Sequence, residues 1–243
     1  MTIELFRDDA DLAECAAVIT AVGDGAVQLD RTVFYPQGGG QAGDAGRLVL
    51  ADGRTVTIAD TRKGAAPVQV MHLLADPADA ASLAAGQAVT ARIDVARRTA
   101  HRRFHTGTHL LCALVPHPVN GCSITAASAR LDFHMTDPLD KDALTAGIAR
   151  LVAAATPVTT RWITDAELDA SPQLVRSMSV QPPRGSGRVR LVEIAGVDLQ
   201  PCGGTHVHNT ADIGAVVVTK IEKKSATTRR VVLGFAPTAP GTA

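Results

Sequence analysis

Residues 104–111 of this chain read FHTGTHLL and form the centre of a predicted helix. Apolar residues recur there with the spacing of one helical face, Asp94 is a candidate N-terminal cap and Pro116 ends the pattern. Residues four apart on a helix lie on the same side, so His105 and His109 can direct two imidazoles at one point. The two histidines are therefore candidate metal ligands.

A second motif follows far along the chain, where residues 202–206 read CGGTH. Its glycines free the backbone, so that Cys202 and His206 can offer a thiolate and an imidazole to one ion. Either pair alone is as compatible with packed or solvated side chains as with a metal. Together they form a Cys/His₃ set that suits tetrahedral zinc, one ion per chain. Two kinds of site stay open, because four protein ligands are typical of a structural zinc and three with water of a catalytic one.

Two neighbours on the same helix are weaker candidates. His101 precedes His105 by four residues, and we interpret it as a solvated surface histidine. Cys112 follows His109 by three residues, and we interpret it as a buried, inert cysteine.

Composition limits the class of protein. The 243 residues, 46% of them apolar, suit one large soluble domain or two small ones. Lys+Arg and Asp+Glu number 24 each, so a nucleic-acid partner requires a local basic patch. The four scattered cysteines, with no apolar run that could cross a bilayer or act as a signal peptide, predict a cytoplasmic protein without membrane contact.

The pattern along the chain predicts an α+β fold in two parts. Residues 1–93 read as short strands and turns, including one strand over residues 26–35, which is typical of a small barrel or sandwich. Residues 94–243 mix helices with strands, including one strand over residues 123–134, and predict an antiparallel sheet with packed helices. Residues 182–187 are expected to form a mobile loop and residues 237–243 a loose tail.

A glycine-rich segment and two basic clusters complete the candidate sites. Residues 29–41 read LDRTVFYPQGGGQ, and consecutive glycines after a strand allow a ligand to approach the backbone, although a flexible hairpin loop gives the same pattern. The basic clusters could attract phosphates without reading sequence, with a solvated surface as the default interpretation. The clustered residues are Arg97, Arg98, Arg102, Arg103, Lys220, Lys223, Lys224, Arg229 and Arg230.

Taken together, these motifs resemble the editing domain of alanyl-tRNA synthetase and its free-standing AlaX-type relatives. HTGTHLL and PCGGTHV resemble the two metal-binding motifs of that family, in the same order. The resemblance covers about residues 14–235, and glycine at position 107 departs from the alanine that the family more often has there. Further matching segments are residues 32–41, 130–133, 188–194, 213–214, 220–224 and 229–231.

The resemblance implies a β-barrel with the glycine-rich motif over residues 1–93 and an editing domain over residues 94–243. It implies His105, His109, Cys202 and His206 as zinc ligands. It also implies Thr32 as the residue that distinguishes serine from alanine, near Gly38, Gly39 and Gly40. The implied reaction is ATP-independent hydrolysis of the ester on tRNA(Ala) that carries serine, or also glycine. We expect a monomer, although the sequence does not specify an oligomeric state.

Two other functions fit parts of the pattern. A tRNA-binding module with a structural zinc would bind charged tRNA and leave its ester intact. A zinc hydrolase of a small ester or amide would not need the nucleic acid, and the zero net charge agrees with it.

Overall fold

The structure, a computed structural model, describes residues 2–66, 68–175 and 187–237. The chain divides into two compact units, Met1–Thr99 and Ala100–Ala243. Most of the predicted loop at residues 182–187 and of the predicted tail at residues 237–243 lies outside the described residues. Within the described ranges, no helix is both long enough and apolar enough to span a membrane.

The N-terminal unit is a closed antiparallel barrel. Its strands in chain order are β1 (Ile3–Glu4), β2 (Glu14–Gly23), β3 (Ala26–Leu29), β4 (Arg31–Thr32), β5 (Gly46–Leu50), β6 (Thr55–Lys63), β7 (Val70–Leu74) and β8 (Ala88–Ile93). The barrel has the order β2-β3-β7-β6-β5-β8, while β1 pairs in parallel with β4. Alternate side chains such as Leu29, Leu48 and Ile58 fill the interior and are fully buried. Of the barrel and the sandwich that the pattern allowed, the chain forms the barrel.

The single strand predicted over residues 26–35 is wrong, because β3 ends at Leu29. Residues 31–32 pair with β1 as the short strand β4, and after Thr32 side chains replace the strand partners of the backbone. The hydroxyl oxygen of Thr32 accepts a hydrogen bond from the N–H of Phe34 at 3.0 Å. The carboxylate of Asp44 accepts one from the N–H of Tyr35 at 2.7 Å. The segment that leads to the glycines is therefore an ordered loop.

The second unit combines helices with two antiparallel sheets, which confirms the predicted α+β class. Its elements, with the helix that starts shortly before it, are α1 (Val95–Leu114), β9 (Val119–Ile124), β10 (Ala129–His134), α2 (Lys141–Ala153), β11 (Val158–Thr164), α3 (Asp165–Asp169), β12 (Arg188–Ile194), β13 (Asp198–Pro201), β14 (Val216–Ser225) and β15 (Thr228–Phe235). One sheet has the order β14-β15-β10-β9 and the other β11-β12-β13. Phe104 and Leu111 of α1 pack with Phe133 and Leu233 in the main core. Asp94 caps α1 as predicted, since its carboxylate accepts from the N–H of Arg97 at 3.0 Å.

The single strand predicted over residues 123–134 is a hairpin of β9 and β10. The hydroxyl oxygen of Thr125 accepts hydrogen bonds from the N–H groups of Ala127 and Ser128, which closes the turn. Strand β13 was not predicted, because four residues ending in proline carry too little pattern. It is the strand that leads into the CGGTH loop.

Candidate metal centre

The helix presents its two histidines side by side. His105 and His109 are buried on α1, and their ring centroids lie 5.6 Å apart. The one-turn spacing of the sequence is therefore realised as a pair of neighbouring imidazoles, as predicted.

The CGGTH loop is held in shape by two buried guanidinium groups. Arg190 on β12 donates to the carbonyl oxygens of Cys202 and Gly204 at 3.1 and 2.9 Å. Arg102 on α1 donates to the carbonyl oxygen of His206 at 2.7 Å. Apart from the bond of the Cys202 N–H to the carbonyl of Arg190, the loop continues outside the strands, and the two arginines supply further bonds that fix its course.

The helix and the loop bring four ligand atoms together. The sulfur of Cys202 lies 3.3 Å from the Nε2 atoms of both His105 and His206. All four ligand atoms, with that of His109, lie within 4.8 Å of one another, so the group could hold a metal ion. Tetrahedral zinc with ordinary bond lengths would place sulfur and nitrogen about 3.5 Å apart, so the donors fit zinc in both chemistry and spacing.

Hydrogen bonds behind the ligands select the tautomers that a metal needs. The hydroxyl of Thr106 donates to the carbonyl of Arg102 at 2.9 Å, so at 3.2 Å it can only accept from Nδ1 of His206. The carboxylate of Asp198 lies 2.8 Å from Nδ1 of His109 and also accepts from the amide of Gln200. Both contacts place a proton on Nδ1 and leave the lone pair of Nε2 to bind a metal.

The electrostatics of the cluster favour an anionic sulfur. Burial alone would raise the pKa of Cys202, but the neighbouring His105 and His206 outweigh it and hold the pKa well below its ordinary value. Burial and the charge of His105 lower the pKa of His206. Burial would also lower the pKa of His109, yet the bond to Asp198 and the sulfur of Cys202 raise it to about 9. A thiolate is the form in which cysteine binds a metal.

The other cysteine and histidine near the motif behave differently. Cys112 is buried in the main core, as predicted. The prediction of a solvated His101 is wrong, because its side chain is fully buried. The neighbouring Arg102 and the preceding Arg98 are buried as well, so this turn of α1 is covered beyond its predicted apolar face. Burial raises the pKa of Cys122 on β9 to about 12 and keeps it a neutral thiol.

In the N-terminal unit, Thr32 is fully buried and its hydroxyl forms hydrogen bonds with other residues of the protein. His72 on β7 donates from Nδ1 to the carbonyl of Val27 at 3.0 Å, so its Nε2 accepts from the hydroxyl of Thr32 at 2.8 Å. The oxygen of Thr32 accepts from Phe34, which leaves it one further lone pair. The N–H and carbonyl groups of Gly38 and Gln41 bond each other at 3.0 Å and form a tight turn. Its centre uses positive φ angles of 59° and 87°, which suit the glycines found there.

The basic residues that precede the metal motif are largely occupied by protein partners. Arg98 is buried and pairs with the carboxylate of Asp44. Arg97 donates to the carbonyl of Gly43 at 3.1 Å. The guanidinium of Arg103 lies over the ring of Phe235 at 4.2 Å and donates to a backbone carbonyl. Together with Arg102, which binds the CGGTH loop, these arginines stabilise the fold around α1.

The second basic cluster divides between interior and surface. Arg229 is buried and donates to carbonyl oxygens of the surrounding loops. Arg230 lies on the outer face of the sheet and pairs with Asp132 at 2.7 Å. Lys220, Lys223 and Lys224 on β14 are exposed.

The supporting residues of the site were not found from the sequence. Asp198 and Gln200 precede Cys202 by four and two residues, so on a strand all three lie on one face. That period of two is the signal that could have identified them. Nothing local marks Arg190 or Thr106, because Arg190 binds carbonyl groups 12 and 14 residues further along the chain and Thr106 binds a histidine 100 residues away.

Comparison with known proteins agrees with this geometry. A family model described as the threonyl and alanyl tRNA synthetase second additional domain matches residues 189–232, which include the CGGTH loop. A model described as tRNA synthetases class II (A) matches residues 3–97. Both models are therefore drawn from tRNA synthetases.

Individual relatives cover nearly the whole chain. The alanyl-tRNA editing protein AlaX-M of Methanosarcina barkeri is 33% identical over 239 residues, which are 95% of this chain and 98% of that protein. AlaX-M of Saccharolobus solfataricus is 29% identical, over 98% of this chain and 100% of its own length. The alanine–tRNA ligase of Metallosphaera sedula is 37% identical over 80% of this chain, which corresponds to 22% of the ligase. The chain belongs to the family of alanyl-tRNA editing proteins of the AlaX-M type.

Proposed function

We propose that this protein hydrolyses the ester of mischarged tRNA(Ala) in trans, with Ser-tRNA(Ala) as the principal substrate and Gly-tRNA(Ala) as the second. The observation that carries the proposal is the convergence of His105, His109, Cys202 and His206 on one point. Full-length similarity to proteins named for alanyl-tRNA editing supports an editing reaction on tRNA(Ala).

The four converging side chains hold one zinc ion. When bound, zinc supplies a positive charge that can polarise an ester carbonyl and acidify water. The protein fixes the ligands for it: Asp198 orients His109, Thr106 orients His206, and Arg190 holds the backbone around Cys202. These contacts keep the donor atoms in place before substrate arrives.

Thr32 supplies the discrimination between serine and alanine. Its proton is given to His72 and one lone pair is taken by the N–H of Phe34, so it can accept one more hydrogen bond. A serine hydroxyl can donate that bond and an alanine methyl group cannot. Gly38, Gly39 and Gly40 belong to the same specificity region, in which a turn without side chains leaves room for the substrate.

The polynucleotide is bound by positive charge on the surface of the editing domain. The residues we assign to phosphate contacts are the exposed Lys220, Lys223 and Lys224 of β14 and the half-buried Arg230 of β15, which also pairs with Asp132. Arg97, Arg98, Arg102, Arg103 and Arg229 instead support the fold through the partners described above.

The remaining assignments concern organisation. Residues 1–93 form the β-barrel domain and residues 94–243 the editing domain. The protein acts as a monomer in the cytoplasm, without ATP and without a membrane partner.

One observation favours a different role. Four protein ligands are typical of a structural zinc, which would make the chain a tRNA-binding module without catalysis. A hydrolase of small esters or amides is the other alternative. The three functions differ in what happens to the ester and in whether the tRNA matters.

The deciding experiment follows hydrolysis of tRNA(Ala) charged with serine, glycine or alanine, with and without a chelator. We expect Ser-tRNA(Ala) to be hydrolysed fastest and Ala-tRNA(Ala) to persist. A chelator or His105→Ala should stop the reaction, while Cys122→Ala, which removes a neutral thiol from β9, should leave it intact. Binding without hydrolysis would indicate the tRNA-binding module. Hydrolysis of a small serine ester at the same rate as Ser-tRNA(Ala) would indicate the small-ester hydrolase.

A further inference from the structure

Trp162 on β11 carries an exposed aromatic surface. It is 38% exposed and is the chain's only tryptophan, and the other large exposed hydrophobic residues of the described ranges are aliphatic. The guanidinium of Arg188 lies over its ring, 4.4 Å from the centroid. The strand β11 is at the edge of its three-stranded sheet, so the pair lies on an edge strand.

The stack lies on the sheet face that carries the metal-binding cysteine. Trp162 is the register partner of Arg190 on β12. The carbonyl of Arg190 in turn accepts from the N–H of Cys202 at 3.0 Å. Partners in an antiparallel sheet point to the same face, so the three residues form one row. Two strand spacings put the backbone of Trp162 about 10 Å from that of Cys202.

The opposite face of the same sheet is covered next to Trp162. Ile163, Leu168, Val189 and Leu191 are buried there as a small hydrophobic core. Trp162 alternates with Ile163 along the strand, so its side chain points away from this core. Burial against this core is therefore not the role of the tryptophan.

We propose that Trp162 and Arg188 stack on a nucleobase of the single-stranded 3′ end of tRNA, next to the nucleotide that carries the ester. This inference rests on the proposed function, which places the ester at the Cys/His cluster. Aromatic rings and guanidinium planes are the usual stacking partners of unpaired RNA bases. On this face of β11, Val158 at the start of the strand is buried in the main core, and Thr160 and Thr164 on either side of Trp162 are exposed. The two threonines do not form the apolar patch that a protein partner would require.

The first test uses the tryptophan as its own reporter, since Trp162 is the only tryptophan and excitation at the long-wavelength edge of its absorption avoids Tyr35. The full-length protein is titrated with an RNA hairpin of the tRNA(Ala) acceptor stem that ends in its single-stranded 3′ nucleotides, and with the same hairpin made blunt. Stacking predicts that the emission changes with the first hairpin and not with the blunt one. Unchanged emission, while anisotropy of a labelled hairpin reports binding, would overturn the proposal.

The second test separates binding from chemistry. Trp162→Leu should raise the KM for Ser-tRNA(Ala) about tenfold and leave kcat unchanged, because a base stack stabilises binding without touching the ester. Trp162→Phe should retain most of the affinity. Arg188→Gln should weaken binding, and Arg161→Gln is its matched control, because Arg161 lies on the opposite face of the same strand beside Glu193.

The outcomes for the two proposals are distinct. A wild-type protein that leaves Ser-tRNA(Ala) intact contradicts the proposed function and removes the basis of this inference. A wild-type protein that hydrolyses the ester, with a Trp162→Leu variant of unchanged KM, overturns only the stacking role. If that variant instead loses binding to a protein partner and keeps its KM, Trp162 belongs to a protein interface.

Discussion

At the scale of single residues, the barrel interior contains a histidine that stays neutral. His72 is fully buried, and burial lowers its pKa to about 4 although its bond to the carbonyl of Val27 acts in the opposite direction. In an unfolded chain the same side chain titrates near pH 6.5. Between these two pH values the unfolded chain binds a proton that the folded chain does not.

The stability contributed by a neutral His72 should therefore be complete above about pH 6.5 and be lost as the pH falls toward 4. The difference in pKa corresponds to about 3 kcal/mol. His72→Gln keeps a donor for Val27 and an acceptor for Thr32 but cannot titrate. We expect this substitution to remove most of the loss in unfolding free energy between about pH 7 and about pH 4.5, measured in urea.

His134→Gln is the matched control, because that side chain is exposed at the end of β10. Equal pH dependence of the wild type and the His72→Gln variant would show that His72 does not titrate as described.

At the same scale, some residues of the site could be recognised in the sequence and others could not. The ligand pairs are visible in the sequence because each lies within five residues, where spacing alone fixes direction. The roles of the arginines are not visible, because a guanidinium suits a phosphate and a buried carbonyl equally well. Arg98 and Arg102 read as a basic cluster, yet Asp44 and the carbonyl of His206 bind them in the folded chain.

At the scale of elements, helix α1 uses two sides. One side carries the metal-ligand candidates His105 and His109. The other side packs against the core, and Gly107 lies on it. A Cβ atom at position 107 would lie 3.7 Å from a methyl group of Leu233 and 3.9 Å from one of Val216, which is ordinary packing distance. The glycine is therefore replaceable by alanine without steric conflict.

We expect Gly107→Ala to raise the free energy of unfolding by about 1 kcal/mol, since glycine is the weaker helix former by that amount. Metal affinity should be unchanged, because the added methyl group points away from the ligands. Chemical denaturation of the metal-loaded protein measures the free energy of unfolding, and competition with a chelator measures the metal affinity.

Gly147→Ala in α2 provides the contrast. Its Cβ would lie 2.9 and 3.0 Å from the two methyl groups of Leu114, which must move. The substitution should therefore raise the free energy of unfolding by less than Gly107→Ala does. A larger gain at position 147 than at position 107 would contradict this account of the helix.

The elements themselves were predictable where their pattern was long. The helix with the histidines and the barrel strands β2 and β8 have clear periodicity and cap or turn signals. The strand predictions failed at residues 33–35 and 125–128, where the side chains of Thr32, Asp44 and Thr125 bind the backbone and interrupt the ladder. Such bonds depend on geometry that hydrophobic periodicity does not encode.

At the scale of the whole molecule, the chain pairs a barrel with an α+β unit, and its two groups of candidate residues divide between them. The Cys/His cluster lies in the second unit, and Thr32 with the glycine turn lies in the first. The class of fold followed from the change of pattern at Asp94. The arrangement of strands into a closed barrel required the structure, because short alternating strands are also compatible with a sandwich.

The central claim is that two distant segments of this chain build one metal site. Its most direct test is the metal content per chain of the purified wild-type protein and of Cys202→Ala, with Cys122→Ala as the control cysteine. We predict one zinc per chain in the wild type and in Cys122→Ala, and little or none in Cys202→Ala. A wild type without metal, or a Cys202→Ala variant that retains a full equivalent at unchanged affinity, would contradict the claim.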